Sequence, residues 1–260
     1  MMCRFRPSLA CPRLSVLLLL AALASPARGN EAILVSAAAS LSGAFHEIAA
    51  RFTTATGTQV ACNVGASGLL QRQIEAGAPV DVFASAGAAP MDALAARGLI
   101  EESSRRIIAR NSLVVVVPRG AAPPLSAFAE LLAPGVRRIA IGNPKTVPAG
   151  RYAQELLRNL GLWEALAPRL VFGEDVRQVL DYVVRQEVEA GLVYATEVAV
   201  AGDATTIALV APAEAYTPIV YPVAVVRATR HRDAAARFTE FVAAADGQRI
   251  LQAHGFPPAR

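Results

Sequence analysis

The chain has 260 residues, 54% of them hydrophobic and 18% charged, with a formal net charge of +4. That apolar share is enough for a packed core and excludes a disordered, solvated chain. Three of the four net positive charges are Arg4, Arg6 and Arg13, all inside the opening segment "MMCRFRPSLACPRLSVLLLLAALASPA". Basic residues, then an apolar run from about Leu14 to Ala24 with Ser15 its one polar member, then small residues make the plan of a secretory leader, assigned to residues 1–27. The run is about 11 residues, well short of the ~20 that span a bilayer, so a cleaved leader is expected rather than an anchor. Cleavage is expected near Ala27 or Gly29, with Ala24 as the other candidate. Without the leader the chain is close to neutral. The doublets Arg105-Arg106 and Arg137-Arg138 are scattered and lack interleaved aromatics, which speaks against nucleic acid. Cys3 and Cys11 leave with the leader, and Cys62 alone builds neither an internal disulfide nor a cysteine metal site.

The rest alternates short apolar runs with helical periodicity, which predicts an α/β fold. "AILVSAAAS" is a strand running into small residues, and Leu41, Phe45, Ile48 and Phe52 then mark one face of a helix. "QVACNV" is a strand, followed by a glycine-rich turn and a helix around Leu69 to Ala76 that Gly77 closes. "VDVFAS" is a third strand, and a helix around Met91 to Arg97 ends at Gly98. "SLVVVVP" is a strand stopped by Pro118. A Pro/Ala linker, a short helix around Phe128 and the strand "RRIAIG" follow. "NPKTVPAGRYAQELLRNLG" predicts a loop and a helix starting at Ala149-Gly150 and closed by Gly161. "RLVF" is a short strand, and "GEDVRQVLDYVV" a helix with acids in its first turn, where the macrodipole favours them. "AGLVYATE", "TIALV" and "IVYPVAVV" are strands, and helices over about Asp233 to Ala244 and Gly247 to Ala253 complete the chain.

Three places share one grammar: a strand ends, small residues follow and a helix begins. They are "SAAASLSG", "VGASGLL" and "VPAGRYA". Small residues let a ligand approach the backbone, and free N–H groups at a helix start point at it with the positive dipole end behind them. Three such turns with little cationic chemistry nearby suggest an anion held by dipoles and hydroxyls. The stretch "GASGL" also nearly spells the G-x-S-x-G elbow of a serine hydrolase, with Ser67 as nucleophile. It fails at Leu69, where the elbow needs glycine, and none of His46, His231 and His254 carries a local signature. No H-x-x-H or paired cysteines suggest a metal site, no glycine-rich nucleotide fingerprint occurs, and Lys145, the only lysine, has no supporting motif.

The stretches "AAASL" (37–41), "ASGLLQRQIEAGAPVDVFASA" (66–86), "NSLVVVVP" (111–118), "VPAGRYA" (147–153), "EDVRQVL" (174–180), "GLVYATE" (191–197) and "YPVAVV" (221–226) together resemble the periplasmic molybdate-binding proteins of ABC transporters, in order and over essentially the whole chain after the leader. The resemblance implies a two-lobed periplasmic binding protein fold of type II, with the ligand in the cleft between lobes. Two crossing segments would lie near Asn111-Ser112 and near Ile219 to Tyr221. Lobe one would take residues 28–111 and 220–260, and lobe two residues 112–219.

The same resemblance implies five oxyanion-binding residues. Ser40 and Ser67 would each give a hydroxyl and a backbone N–H, Ala149 and Val176 an N–H alone, and Tyr194 its phenolic O–H. Taken singly, Ser40 also suits an ordinary N-cap, Ala149 and Val176 ordinary first-turn positions, and Tyr194 a strand-end aromatic. The implied ligand is molybdate, with tungstate nearly the same size. No cofactor, no catalysis and no direct metal-cation ligand are implied. The expected partner is the membrane permease of a molybdate ABC transporter, and the protein is expected to be a periplasmic monomer. A sulfate or other oxyanion binder is the alternative within the class, and a secreted serine hydrolase using Ser67 the alternative outside it. One departure concerns the second turn: many relatives are richer there in serine and threonine, whereas this chain has Gly65, Gly68 and Leu69. Neutral donors would also sort anions, because phosphate keeps a proton at neutral pH and a donor-only site leaves it unpaired, at roughly 1–3 kcal/mol.

Overall fold

The computed structural model describes Met2, residues 32–121 and residues 124–259, so the leader assigned to residues 1–27 lies, Met2 apart, outside the described residues. The chain runs β1 (Ala32–Ala38), α1 (Ser42–Thr56), β2 (Gln59–Gly65), α2 (Ser67–Glu75), β3 (Val82–Ala84), α3 (Ala88–Ala96) and β4 (Arg106–Asn111). It continues β5 (Leu113–Pro118), β6 (Ile139–Gly142), α4 (Pro148–Asn159), α5 (Trp163–Leu166), β7 (Leu170–Gly173), α6 (Val176–Val184), β8 (Ala190–Tyr194), α7 (Ala195–Ala201) and β9 (Thr205–Val210). It ends with β10 (Ile219–Val225), α8 (Arg232–Ala243) and α9 (Ala245–Ala253).

Among the described residues the strands form two five-stranded sheets, ordered β2-β1-β3-β10-β4 and β7-β6-β8-β5-β9. Each sheet with its helices is one lobe. In the first, β1 pairs parallel with β2 and β3, and β10 pairs antiparallel with β3 and β4. In the second, β6 pairs parallel with β7 and β8, and β5 pairs antiparallel with β8 and β9. Parallel strands covered by helices on both faces carry near-continuous apolar runs, as "AILVSAA" of β1 does; "LVVV" of β5 is antiparallel to both neighbours but lies inside its sheet, with Leu113 to Val116 all buried. Phe45, Ile48 and Phe52 of α1 are buried, and Phe52 meets Phe238 of α8 edge-on at 5.2 Å between ring centroids. The C-terminal helices thus seal the core of the first lobe.

The chain passes between lobes twice. It leaves the first sheet at Asn111 and enters the second at Leu113, with Ser112 between. It returns over residues 211–218, so Ile219 to Tyr221, expected near the crossing, are already paired in β10, Ile219 opposite Asn111. The two connections therefore run side by side: Ala211 N–H donates to Leu113 O at 2.9 Å just beyond them. The β4–β10 ladder shifts register between Tyr221 and Pro222. Proline has no N–H to give a ladder, and a bulge beside it re-aims the neighbouring side chain.

Some elements differ from expectation. β4, α5 and α7 carry no strong periodic signal: "RIIARN" mixes charge into a sheet-edge strand, and "ATE", expected to extend a strand, opens α7 instead. The acids of "GEDVRQVL" sit before the first turn of α6, with Asp175 as the N-cap accepting from Gln178 N at 2.9 Å. No helix among the described residues is long and apolar enough to cross a membrane.

Candidate functional site

Four helix starts face one another between the lobes. Ala39–Leu41 forms a short 3-10 turn after β1, which places Ser40 in its first turn. Ser67 is the first residue of α2, behind an Ala66 N-cap that makes no side-chain cap bond. In the second lobe Pro148 opens α4 and Ala149 follows it. Val176 opens α6 behind Asp175. N–H groups at these positions have no partner four residues back within their own helix. Where a partner is present it satisfies a later position: Asp175 caps Gln178 N, leaving the N–H of Val176 ahead of that bond.

Ser40, Ser67, Ala149, Val176 and Tyr194 all line a single small cavity, together with Ala38, Ala39, Gly65, Ala66, Ala86, Val147, Pro148 and Asp175. The structure brings all five sequence-selected residues together, and all five are buried. The cavity volume is about 10 Å³, so the lobes are pressed together around it. Gly68 N–H donates to Thr146 O of the second lobe at 3.0 Å. A Cβ on Gly68 would lie 2.6 Å from that same oxygen, so the glycine of "ASGLL" is what permits this approach. Gly150 is tighter still, since its Cβ would fall 1.8 Å from Gly142 O. That glycine lets α4 start hard against β6 and carries Ala149 to the cavity.

The hydroxyls are aimed by their partners. Ser67 Oγ accepts from Ala86 N at 3.1 Å, which leaves its own proton available. Ser40 Oγ lies 3.2 Å from Tyr221 Oη. Tyr221 Oη accepts from Asn111 Nδ2 at 3.0 Å, and Asn111 also donates to Thr196 Oγ1 at 2.9 Å. Tyr194 gives its single phenolic proton across the cleft to Ala86 O at 2.7 Å. Sequence reasoning assigned that proton to a ligand; here it closes the cleft on the first lobe. Burial is the main cause holding the phenols of Tyr194 and Tyr221 well above their ordinary pKa, so both remain protonated donors.

Electrostatically the lining is almost neutral. Asp175 is the one formally charged lining residue among those described, and its carboxylate is engaged with Gln178 N. One layer behind, Arg177 Nε and the fully buried Glu197 Oε2 lie 2.9 Å apart. Neither makes a well-aligned hydrogen bond there, and burial pushes the Glu197 carboxyl up to about 7, so the contact becomes an ion pair only as pH rises through that value. Sequence reasoning missed Ala86, Asn111, Tyr221, Arg177 and Glu197. Only Glu197 offered a signal, as an acid in the otherwise apolar "GLVYATE".

Among the described residues no histidine lines the cavity. His46 Nδ1 is 2.7 Å from Ser42 O, and His254 Nε2 is 3.0 Å from Glu47 Oε2. Ser67 thus has no base beside it, and its oxygen is already an acceptor. No group of three or more metal-ligating side chains occurs among the described residues.

Two α/β lobes linked by paired crossing strands, with convergent helix starts in the cleft, define a binding protein of the periplasmic type. The chain belongs to the bacterial extracellular solute-binding protein family, whose pattern matches residues 33–257. It is 37% identical over 231 residues to the molybdate-binding protein ModA of Escherichia coli (strain K12), covering 86% of this chain and 88% of that one. The solved periplasmic molybdate-binding protein of Azotobacter vinelandii superposes with a TM-score of 0.77 at 27% identity, over 86% of this chain and 98% of that one. The sulfate-binding protein SubI of Mycobacterium tuberculosis H37Rv shares the fold, with a TM-score of 0.74 at 20% identity over 88% of this chain and 87% of that one. The molybdate proteins are binding proteins rather than enzymes, and the oxyanion is their ligand, not a cofactor.

Proposed function

We propose that this chain binds molybdate, and tungstate with it, in the interlobe cavity and delivers it outside the cytoplasm to the membrane permease of an ABC transporter. The observation that carries the reading is the convergence of Ser40, Ser67, Ala149, Val176 and Tyr194 on one buried, nearly neutral cavity. A tetrahedral dianion removed from water needs many hydrogen bonds. Two hydroxyls, a phenol and four helix-start N–H groups offer about seven donors, each worth roughly 1.5–3 kcal/mol net when the acceptor is charged. The relatives named for molybdate span nearly the whole chain and support the same ligand class.

The lobes, taken as residues 28–111 with 220–260 and residues 112–219, would close on the anion about the paired crossings. The first lobe supplies Ser40 and Ser67; the second supplies Ala149, Val176 and Tyr194. A ligand touching both binds the closed form better and shifts the population toward it. An oxyanion that takes the Tyr194 proton would part that hydroxyl from Ala86 O, its acceptor in the present arrangement. The leader, the periplasmic location and the monomeric state belong to the same proposal.

A thermal-shift panel of molybdate, tungstate, sulfate and phosphate tests it. Stabilisation by molybdate and tungstate at micromolar concentrations, without phosphate, is the expected result. Stabilisation by sulfate in preference to molybdate would assign the cavity to the smaller oxyanion, and no stabilisation by any of the four would remove the reading.

A further inference from the structure

Asn111 and Tyr221 stand where the two lobes are joined. Asn111 ends β4 at the first crossing, Tyr221 lies in β10 just after the second, and Thr196 is the second residue of α7, two beyond Tyr194. Every polar atom of the Asn111 amide is committed. Its Oδ1 accepts from Ser112 N at 2.9 Å, and that bond fixes which side of the amide carries the NH2. The NH2 donates to Thr196 Oγ1 and to Tyr221 Oη.

The direction of the remaining bond follows. The buried Tyr221 phenol needs an acceptor for its one proton, and Ser40 Oγ, 3.2 Å away, is the one in reach on the side away from Asn111, so Tyr221 is taken as the donor. Ser40 then accepts from behind and has its own proton left for the cavity. The order Asn111 to Tyr221 to Ser40 to ligand makes every link point the same way. Fully buried tyrosine and buried serine keep water from reversing it.

We infer that Asn111 and Tyr221 are positioning residues that hold Ser40 as a donor toward the cavity, and so set the preference for fully deprotonated oxyanions over ones that keep a proton. This rests on the oxyanion reading of the cavity. An oxyanion carrying a proton needs an acceptor, and a Ser40 locked as donor withholds one.

The test is calorimetric titration of the wild-type chain, Tyr221→Phe and Asn111→Asp with molybdate and with inorganic phosphate near pH 7. Tyr221→Phe frees Ser40 to rotate and accept, so molybdate binding should weaken about tenfold while the phosphate-to-molybdate affinity ratio rises. Asn111→Asp turns a donor into an acceptor, reversing the chain and withdrawing the Ser40 proton. Its added charge weakens both anions, but the ratio should shift toward phosphate further than in Tyr221→Phe. A merely structural role would lower molybdate affinity with the ratio unchanged, and that outcome in both variants, or no change at all, overturns the inference. A wild-type chain that fails to bind molybdate defeats the function proposed above instead, so the two failures are distinct.

Discussion

The two lobes present the same local device, a helix start aimed at the cavity, but equip it differently. In the first lobe Ser40 and Ser67 add hydroxyls, and those hydroxyls are backed by neutral hydrogen bonds from Tyr221, Asn111 and Ala86 N. In the second lobe Ala149 and Val176 offer bare backbone, Tyr194 adds the one side-chain donor, and what stands behind α6 is the close contact of Arg177 with buried Glu197. Donors built on side chains can be tuned by their neighbours; donors built on backbone are fixed by the helix that carries them. On the proposed oxyanion reading, the first lobe would carry most of the tunable donors and the second lobe, Tyr194 apart, would mainly supply closure.

The largest effect should come from keeping the lobes apart. Gly68→Val places carbon where Thr146 O already sits, so the second-lobe donors are lost together. Oxyanion affinity should fall on the order of 100-fold or more, since several charge-assisted hydrogen bonds go at once, while far-UV circular dichroism stays unchanged. Unaltered affinity would mean that the approach of Gly68 to Thr146 is irrelevant to binding.

Val176→Pro tests the bare-backbone half. Proline is tolerated at the first position of a helix, and Asp175 before it is already extended (φ −152°, ψ 178°), as a residue preceding proline prefers. The substitution removes one N–H and little else. A loss of roughly 1.5–3 kcal/mol in molybdate binding is expected by calorimetry; equal affinity would remove Val176 from the donor set. Ser67→Ala tests the other half. It removes a hydroxyl but leaves the Ser67 N–H, and it frees Ala86 N from its partner. About tenfold weaker binding is expected, comparable to Tyr194→Phe, which gives up a proton now shared with closure.

The smallest effect on binding, and a distinct one on stability, should come from Glu197→Gln. The folded-state pKa of Glu197 is raised to about 7 by burial, so the folded protein holds this proton more tightly than the unfolded chain. That contribution is fully present below the ordinary glutamate range and is lost as pH rises to about 7. Wild-type Tm should therefore fall between pH 5 and pH 8 more than that of Glu197→Gln. Parallel Tm profiles for the two proteins would show that Glu197 is not titrating there.

Much of this was legible in the sequence. The α/β alternation and the helix-start turns follow from strand runs, small residues and glycines with local meaning, such as Gly77 and Gly98 with left-handed φ of 87° and 65°, whereas the set of five residues came from the family resemblance and not from any local pattern. What was not legible is long-range. Asn111 and Tyr221 are 110 residues apart in sequence, and nothing local says that one amide will join two crossings to Ser40. β4 escaped because an edge strand with one wetted face needs no apolar pattern, and α7 because "ATEVAVA" supports strand and helix alike. The glycines of the second turn looked like a loss of hydroxyls; the structure shows Gly68 gaining a contact across the cleft.

The most direct test of the central claim is a crystal structure grown with molybdate, with the metal located by its anomalous scattering. One strong peak is expected in the cavity, with the oxyanion's oxygens within about 3.2 Å of Ser40 Oγ, Ser67 Oγ and Tyr194 Oη and of the N–H groups of Ala149 and Val176, and with Tyr194 released from Ala86 O. A peak elsewhere on the protein, or an empty cavity at saturating molybdate, would contradict it.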